Sequence, residues 1–193
     1  MSGQTAAAAQ PRRLGIDMLK RRWPTALALV LSALTFDGGD SGASVFGLAE
    51  ALLLLPLGYL IVAKLKRPRA SWPVLVCGLA TIIVLRLLDV IAPAAVLVAI
   101  ALIVLVWAAV DRQLQRSALF QVQALGMLGF GALALIGLAV DPQLGRYLVA
   151  AGWLLHGLWD FAHLRMNKVV ARSYAEWCGS IDILIAAQLL LFQ

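Results

Sequence analysis

The sequence predicts an all-α fold: a polytopic membrane bundle of seven transmembrane helices, with the N-terminus cytoplasmic and the C-terminus outside. Composition is the first reason. Of the 193 residues, 62% are hydrophobic and 13% are charged, and the mean hydropathy is +0.90, whereas soluble domains have about 45–50% apolar and about 25% charged residues. The other two reasons are apolar runs close to the ~20 residues that cross a bilayer and an uneven distribution of Lys and Arg between loops.

The chain divides into a basic cytoplasmic N-terminal segment, residues 1–22, and a seven-helix transmembrane domain, residues 23–193. The first apolar run, residues 23–36, is short and follows the basic segment, a pattern that also describes a secretory signal peptide. We interpret it as an uncleaved span. Six further runs reach or approach the length of a membrane crossing: 43–65, 71–90, 92–110, 117–140, 146–164 and 174–192.

Lys and Arg are concentrated in alternate loops, which predicts the orientation. The loops on the side opposite the N-terminus contain only Arg146. The side of the N-terminal segment carries Lys64, Lys66, Arg67, Arg69, Arg112, Arg116, Arg165, Lys168 and Arg172. Basic loops stay in the cytoplasm, so both the N-terminus and these loops are predicted inside. The net charge of +6 is then a topology signal. It indicates anionic membrane lipids as partners and no nucleic acid.

Aromatic residues near the basic ends of the predicted spans are typical of an interfacial belt. Tyr59, Tyr174 and Trp177 belong to this group. Glu176 is expected at the same interface, near the basic loop that precedes the last span.

Ionisable residues also occur inside the predicted spans, where a charge costs roughly 2.5–3.5 kcal/mol even on the insertion scale. These residues are Glu50, Arg86, Asp89, His156, Asp160, His163 and Asp182. The acids outnumber the single permanent base. The excess must therefore be protonated, paired with charged histidines, or neutralised by a cation or a water-filled cavity.

Three of these residues form a predicted secondary polar cluster toward the outer side of the membrane. Arg86 and Asp89 are three residues apart on one face of the third span, and Glu50 lies within reach on the second. We interpret this cluster as an ion pair that ties the two spans together.

The other residues form the main candidate site. His156, Asp160 and His163 fall within a sector of roughly 60° on one helix face. Asp182 lies on the next span, at a depth between His156 and Asp160. Short connections favour antiparallel contact between these two spans, and the site is expected to open toward the cytoplasm. Its expected lining residues are Trp153, Trp159, Tyr174 and Cys178.

Imidazole and carboxylate groups are the ligands of zinc, iron and manganese sites, and they also transfer protons. The four ionisable residues of the main site are therefore candidate metal ligands and candidate catalytic acid and base groups. His156 and His163 are ~10 Å apart along the helix axis. We therefore expect an ion to use one histidine with Asp160 and Asp182. Two alternatives stay open: a proton or ion relay, and a structural hydrogen-bond network.

Several cofactors are not expected. A haem needs axial ligands on opposite faces of its ring, which two histidines on one helix face do not supply. Retinal needs a lysine in the interior of a span. The sequence contains no glycine-rich phosphate loop, so no nucleotide is expected.

The last two spans resemble a family of small bacterial multi-pass membrane proteins. The shared pattern, Trp-x-x-His-x-x-Trp-Asp-x-x-His followed by Cys-x-x-x-Asp, consists here of Trp153, His156, Trp159, Asp160, His163, Cys178 and Asp182. The pattern covers about a fifth of the chain. The resemblance implies that the two spans act as one unit in a bacterial cytoplasmic membrane, but it implies no substrate.

Together these observations favour a metal- or proton-dependent membrane enzyme acting on a lipid or small apolar substrate. The alternatives are a proton-coupled transporter or ion-conducting protein that uses the same residues as a relay, and a non-catalytic subunit of a membrane complex.

Overall fold

A computed structural model describes residues 22–34 and 42–191, and within these ranges the regular structure is helical, without a β-strand. The all-α prediction is confirmed for this part of the chain. The helices are α1 (Trp23–Leu34), α2 (Gly42–Leu65), α3 (Ser71–Leu88), α4 (Pro93–Val110), α5 (Gln113–Arg116), α6 (Ala118–Ala139), α7 (Pro142–Met166) and α8 (Arg172–Leu191). The predicted N-terminal segment lies outside the described residues, apart from Arg22.

Five stretches are long and apolar enough to cross a membrane: Ser44–Leu65, Pro68–Leu88, Pro93–Val110, Ala118–Ala139 and Arg172–Leu191. The other two predicted spans correspond to α1 and α7. Helix α1 has only 12 residues. Helix α7 has 25 residues, but its histidines and aspartate lower its hydropathy. The ionisable residues of the main candidate site are therefore the ones that make α7 less apolar than the five stretches above.

Helix α2 occupies the centre of the bundle and packs against α3, α4, α6 and α7, while α8 packs against α7 and α1. The apolar side chains of α2 that face inward are fully buried, among them Leu52, Leu53 and Leu60. Helices α3 and α4 instead expose large apolar side chains such as Ile83 and Ile103. Helices that are apolar on all faces are typical of membrane proteins, in which lipid covers the outer surface.

Polar contacts bring the basic loops to one end of the bundle. Lys64, at the end of α2, forms an ion pair with Asp111, in the loop after α4. The Ala171 amide, just before α8, donates to Ser71 Oγ at the start of α3, at 3.1 Å. This end, which we call the basic end, contains Arg22, Lys66, Arg67, Arg69, Arg112, Arg116, Arg165, Lys168 and Arg172. The charge asymmetry predicted from the sequence is therefore present in three dimensions.

Helix α1 lies parallel to α8. Thr25 Oγ1 donates to Glu176 Oε1 at 2.9 Å near the start of both helices, and Gln188 Nε2 donates to the Ser32 carbonyl at 2.8 Å near their ends. Glu176, which was expected near the basic loop before α8, has a carboxylate that accepts from Arg22 at 3.1 Å. The sequence could not show this contact because it joins the two ends of the chain.

The connection between α7 and α8 is short, and it fixes their antiparallel pairing. Helix α7 begins after Asp141, whose carboxylate caps the first turn by accepting from the amides of Gln143 and Leu144, as N-cap residues do. It ends at Met166, and the next residue, Asn167, adopts the left-handed conformation with φ of 51°, a common helix stop. The site described below forms between these two helices.

Candidate functional site between α7 and α8

Three ionisable side chains meet between α7 and α8. His156 Nδ1 lies 2.8 Å from Asp182 Oδ2 and 3.2 Å from Asp160 Oδ2. All three side chains are 0% exposed. The predicted convergence of His156, Asp160 and Asp182 is therefore present, and we call these residues the buried cluster. The expected opening toward the cytoplasm is not found among the described residues, because packing closes the site.

Two glycines let the helices approach closely enough for this contact. Gly157 on α7 faces Asp182, and a Cβ at that glycine would lie 3.1 Å from the Asp182 Cβ. Gly179 on α8 faces Asp160 in the same way, with a distance of 3.2 Å. Each aspartate thus stands opposite a glycine of the other helix. The reciprocal arrangement brings the two carboxylates to one imidazole.

Tyr59 joins the cluster from α2. Its hydroxyl donates to Asp160 Oδ1 at 2.5 Å, and its side chain is almost fully buried. The assignment of Tyr59 to an interfacial belt is wrong, as is that of Tyr174 and Trp177, which are also buried. Their positions along the helices fit a belt, but their side chains point into the bundle. The sequence contains no local pattern that shows which face of α2 is buried.

His163 lies one helical turn beyond Asp160, outside the buried cluster. Its Nδ1 donates to the Trp159 carbonyl at 2.9 Å, and its Nε2 accepts from Gln123 Nε2 at 3.0 Å. Both ring nitrogens therefore have protein partners. Gln123, a buried residue of α6, was not among the predicted site residues. The available signal was a polar amide within an apolar run.

Aromatic rings enclose the histidines. Phe130 of α6 packs edge-on against His156, with ring centroids 4.9 Å apart, and Trp159 lies 5.0 Å from His163. Gly126 of α6 makes room for the Trp159 indole. Phe130 was not among the predicted residues, because an apolar ring in an apolar span carries no signal of its own.

The remaining predicted lining residues lie around the same helix pair. Trp153 is buried one turn from His156, and its indole nitrogen donates to the Leu48 carbonyl at 3.1 Å. Tyr174 packs against Tyr59 with centroids 6.0 Å apart, and Cys178 is fully buried on α8.

The charge of the buried cluster is not balanced by a permanent cation. Within the described part of the chain, no Lys or Arg forms an ion pair with Asp160 or Asp182. Electroneutrality then requires either two protons shared by the imidazole and the two carboxylates, or one divalent cation with a neutral imidazole. Two buried atoms of the cluster, His156 Nε2 and Asp182 Oδ1, have no hydrogen-bond partner.

The cluster has the donor set of a metal site. Each of the three residues offers one ligand atom, and these atoms all lie within 4.8 Å of one another. One imidazole nitrogen with carboxylate oxygens suits zinc, iron and manganese. The unpartnered polar atoms in a closed apolar environment also fit a bound group, since buried polar atoms normally have partners.

The secondary polar cluster is only partly assembled. Arg86 Nη2 lies 2.7 Å from Glu50 Oε2, and the Arg86 side chain is 44% exposed. Gly47 leaves space for the guanidinium. Asp89 is not part of this pair; it ends α3 in the left-handed conformation, with φ of 48°, and is exposed.

No protein-family model, curated protein or solved structure matches this chain.

Proposed function

We propose that this chain is a metal-dependent membrane enzyme whose buried cluster holds a divalent zinc, iron or manganese ion and acts on a lipid or small apolar substrate. The observation that carries the proposal is the convergence of His156, Asp160 and Asp182 in a fully buried position without a permanent countercharge. One divalent ion with two carboxylates and a neutral imidazole is electrically neutral. Such a site satisfies the strong preference of a membrane interior for uncharged groups.

The chain's own residues would have distinct roles. Asp160, Asp182 and His156 would be the ligands, and Tyr59 would orient Asp160 through its hydroxyl, as outer hydrogen bonds orient metal ligands elsewhere. His163 would hold α6 against α7 through Gln123. A bound ion of this kind polarises carbonyl or phosphoryl groups and activates water. Because the cluster is buried among apolar helices, we expect an apolar substrate that approaches from the membrane and not a polar one.

A proton relay is the second candidate, and one observation favours it. Tyr59, Asp160, His156 and Asp182 form a continuous chain of polar contacts from α2 through α7 to α8. Two protons shared along this chain would also make it neutral. Chains of ionisable groups inside a bundle are typical of proton-coupled transporters.

We further propose seven crossings in a bacterial cytoplasmic membrane, with the basic end in the cytoplasm. The gathering of basic loops at one end supports this orientation. The parallel arrangement of α1 and α8 supports it as well, because five antiparallel crossings between them return the chain to the same direction. Membership in the bacterial family that the last two spans resemble is part of the same proposal.

Metal analysis of the purified protein tests the function directly. We expect about one equivalent of zinc, iron or manganese in the wild type, and its loss in Asp160→Asn and Asp182→Asn. Asp89→Asn is the matched control, because Asp89 is exposed and Asn also accepts the left-handed conformation. Adding metal to the stripped protein should release about two protons per ion.

The outcomes separate the candidates. Absence of metal binding in the wild type, together with pH-dependent proton flux in liposomes that the Asp182→Asn variant abolishes, would replace the enzyme with the relay. If the wild type shows neither bound metal nor proton flux, the remaining candidate is a non-catalytic subunit in which the cluster holds the helices together.

A further inference from the structure

An apolar groove lies on the side of α2 that faces away from the buried cluster. It has a volume of about 260 Å³ and is formed by α2, α3 and α4. Its wall includes Leu54, Leu57, Val74, Cys77, Thr81 and Leu97. Thr81 Oγ1 donates to the Cys77 carbonyl at 2.8 Å, so its hydroxyl is already used. The groove therefore offers a ligand almost only hydrocarbon.

The geometry of the helices keeps the groove open. Helices α3 and α4 contact each other little, although both pack against α2. On one edge, Gly78 lets α3 approach α2, because a Cβ there would collide with the Leu54 side chain. The result is a cleft between two helices whose outer faces are among the most exposed apolar surfaces of the bundle.

The groove begins at the basic end and extends only partway through the bundle. Along α3 it runs from Pro73, the third residue of the helix, to Thr81, a rise of about 12 Å. On α4 the groove is lined by Leu97 and Ile100, so it reaches from the basic end to just past the middle of the ~30 Å hydrocarbon layer. Its length matches one lipid acyl chain rather than a helix that spans the membrane.

The mouth of the groove is positively charged. Lys66, Arg67 and Arg69 occupy the loop that leads directly into α3, and all three are exposed. None of them forms an ion pair with another described residue. Basic side chains next to a membrane attract anionic lipid headgroups.

We infer that this groove binds one anionic phospholipid of the leaflet at the basic end, with an acyl chain between α2, α3 and α4 and the phosphate at the loop of Arg67 and Arg69. The combination of a hydrocarbon cleft of acyl-chain length and a basic mouth fits an amphipathic anion. The site is separate from the buried cluster and does not depend on its metal.

The test uses the full chain in detergent, with phosphatidylglycerol or phosphatidylcholine added and bound lipid counted by native mass spectrometry. The wild type should retain one phosphatidylglycerol in preference to phosphatidylcholine. Cys77→Phe, which fills the groove, should lose it. Val76→Phe is the matched control, because Val76 is 61% exposed and does not line the groove.

The headgroup contact is tested separately. The double variant Arg67→Gln with Arg69→Gln should bind phosphatidylglycerol roughly 30-fold more weakly, since two basic contacts are removed. Arg165→Gln with Lys168→Gln removes the same charge from the end of α7 and the loop that follows it, and this variant should bind as the wild type does.

Equal lipid retention by Cys77→Phe and the wild type would overturn the inference. So would equal binding of the two lipids with no effect of the double Arg substitution. A change of oligomeric state in Cys77→Phe without a change in bound lipid would instead place a second copy of the chain in the groove. Metal content measured on the same samples should not change, so failure here is distinguishable from failure of the proposed enzyme.

Discussion

The buried cluster and the Glu50–Arg86 pair both place carboxylates within predicted spans, but the two groups neutralise this negative charge in different ways. Arg86 carries a permanent charge, lies 2.7 Å from one carboxylate and is 44% exposed. The buried cluster has two carboxylates and one titratable imidazole, all 0% exposed. The Glu50–Arg86 pair is neutral by itself. The buried cluster becomes neutral only by taking up something, either two protons or one divalent ion.

This difference is why the proposed function is assigned to the buried cluster and not to the Glu50–Arg86 pair. A self-neutral pair near a helix end can stabilise packing without changing its charge. A buried group whose charge depends on what it binds responds to metal or protons, because every alternative leaves a charge in a medium that solvates it poorly. The following predictions test this contrast, from the largest expected effect to the smallest.

Replacing His156 should have the largest effect on stability. His156→Leu leaves two buried carboxylates without a base, and breaking a buried ion pair in this way costs about 3–5 kcal/mol. The free energy of unfolding in detergent, from denaturant titration, measures the loss. Combining His156→Leu with Asp182→Asn should recover part of the stability, because one carboxylate is removed. A loss below about 1 kcal/mol in His156→Leu would show that the imidazole does not form a charged pair with the two carboxylates.

Removing the Tyr59 hydroxyl should have the next largest effect. Tyr59→Phe deletes the hydrogen bond to Asp160 and leaves a buried carboxylate oxygen unpartnered, which costs about 1.5–3 kcal/mol. The same denaturant titration measures it. Tyr147→Phe is the control, since Tyr147 is 43% exposed, and it should lose little. Equal losses in the two variants would contradict the role of Tyr59 in the cluster.

Adding a methyl group between α7 and α8 should destabilise the bundle through steric contact. Gly157→Ala places a Cβ 3.1 Å from that of Asp182, and overpacking of this kind costs about 1–3 kcal/mol. Gly129→Ala is the control, because nothing lies within 4 Å of a Cβ at that position. Gly157→Ala should also weaken metal binding, whereas Gly129→Ala should leave it unchanged. If both alanines are tolerated equally, the close approach of the helices is not required.

Breaking the Glu50–Arg86 pair should matter far less than the changes in the buried cluster. Glu50→Gln is expected to cost about 0–1 kcal/mol, because Arg86 stays partly exposed and close to a helix end. The metal content of this variant should equal that of the wild type. A loss as large as that of His156→Leu would remove the distinction between the two groups.

The smallest effect is expected outside the spans, at Asp111. The hydrogen bond from Lys64 lowers the pKa of the Asp111 carboxyl below its usual value. A carboxyl whose pKa is lower in the folded than in the unfolded state contributes stability above its unfolded pKa, and this contribution disappears as the pH falls through the folded pKa. Between about pH 5 and pH 3, the melting temperature of the wild type should therefore fall more than that of Asp111→Asn. If the melting temperatures of the two proteins fall equally over this range, the contact between Lys64 and Asp111 does not stabilise the fold.

The site was only partly predictable from the sequence. The positions of His156, Asp160 and Asp182 followed from helical periodicity and from the depth of each residue in its span. Tyr59, Gln123 and the two glycines did not. Nothing in an isolated apolar run shows which of its faces meets a neighbour, and these residues act only through contacts with other helices.

The sequence by itself determined the helical class, the long apolar segments and the gathering of positive charge on one side. These properties depend on local composition and on the cost of exposing polar backbone to lipid. The tertiary structure alone decided that α1 lies along α8, that Tyr59 faces inward, that Asp89 stays apart from Arg86 and that packing closes the buried cluster. Each of these depends on which helices touch, and such contacts join residues far apart in the chain, where no local pattern records them.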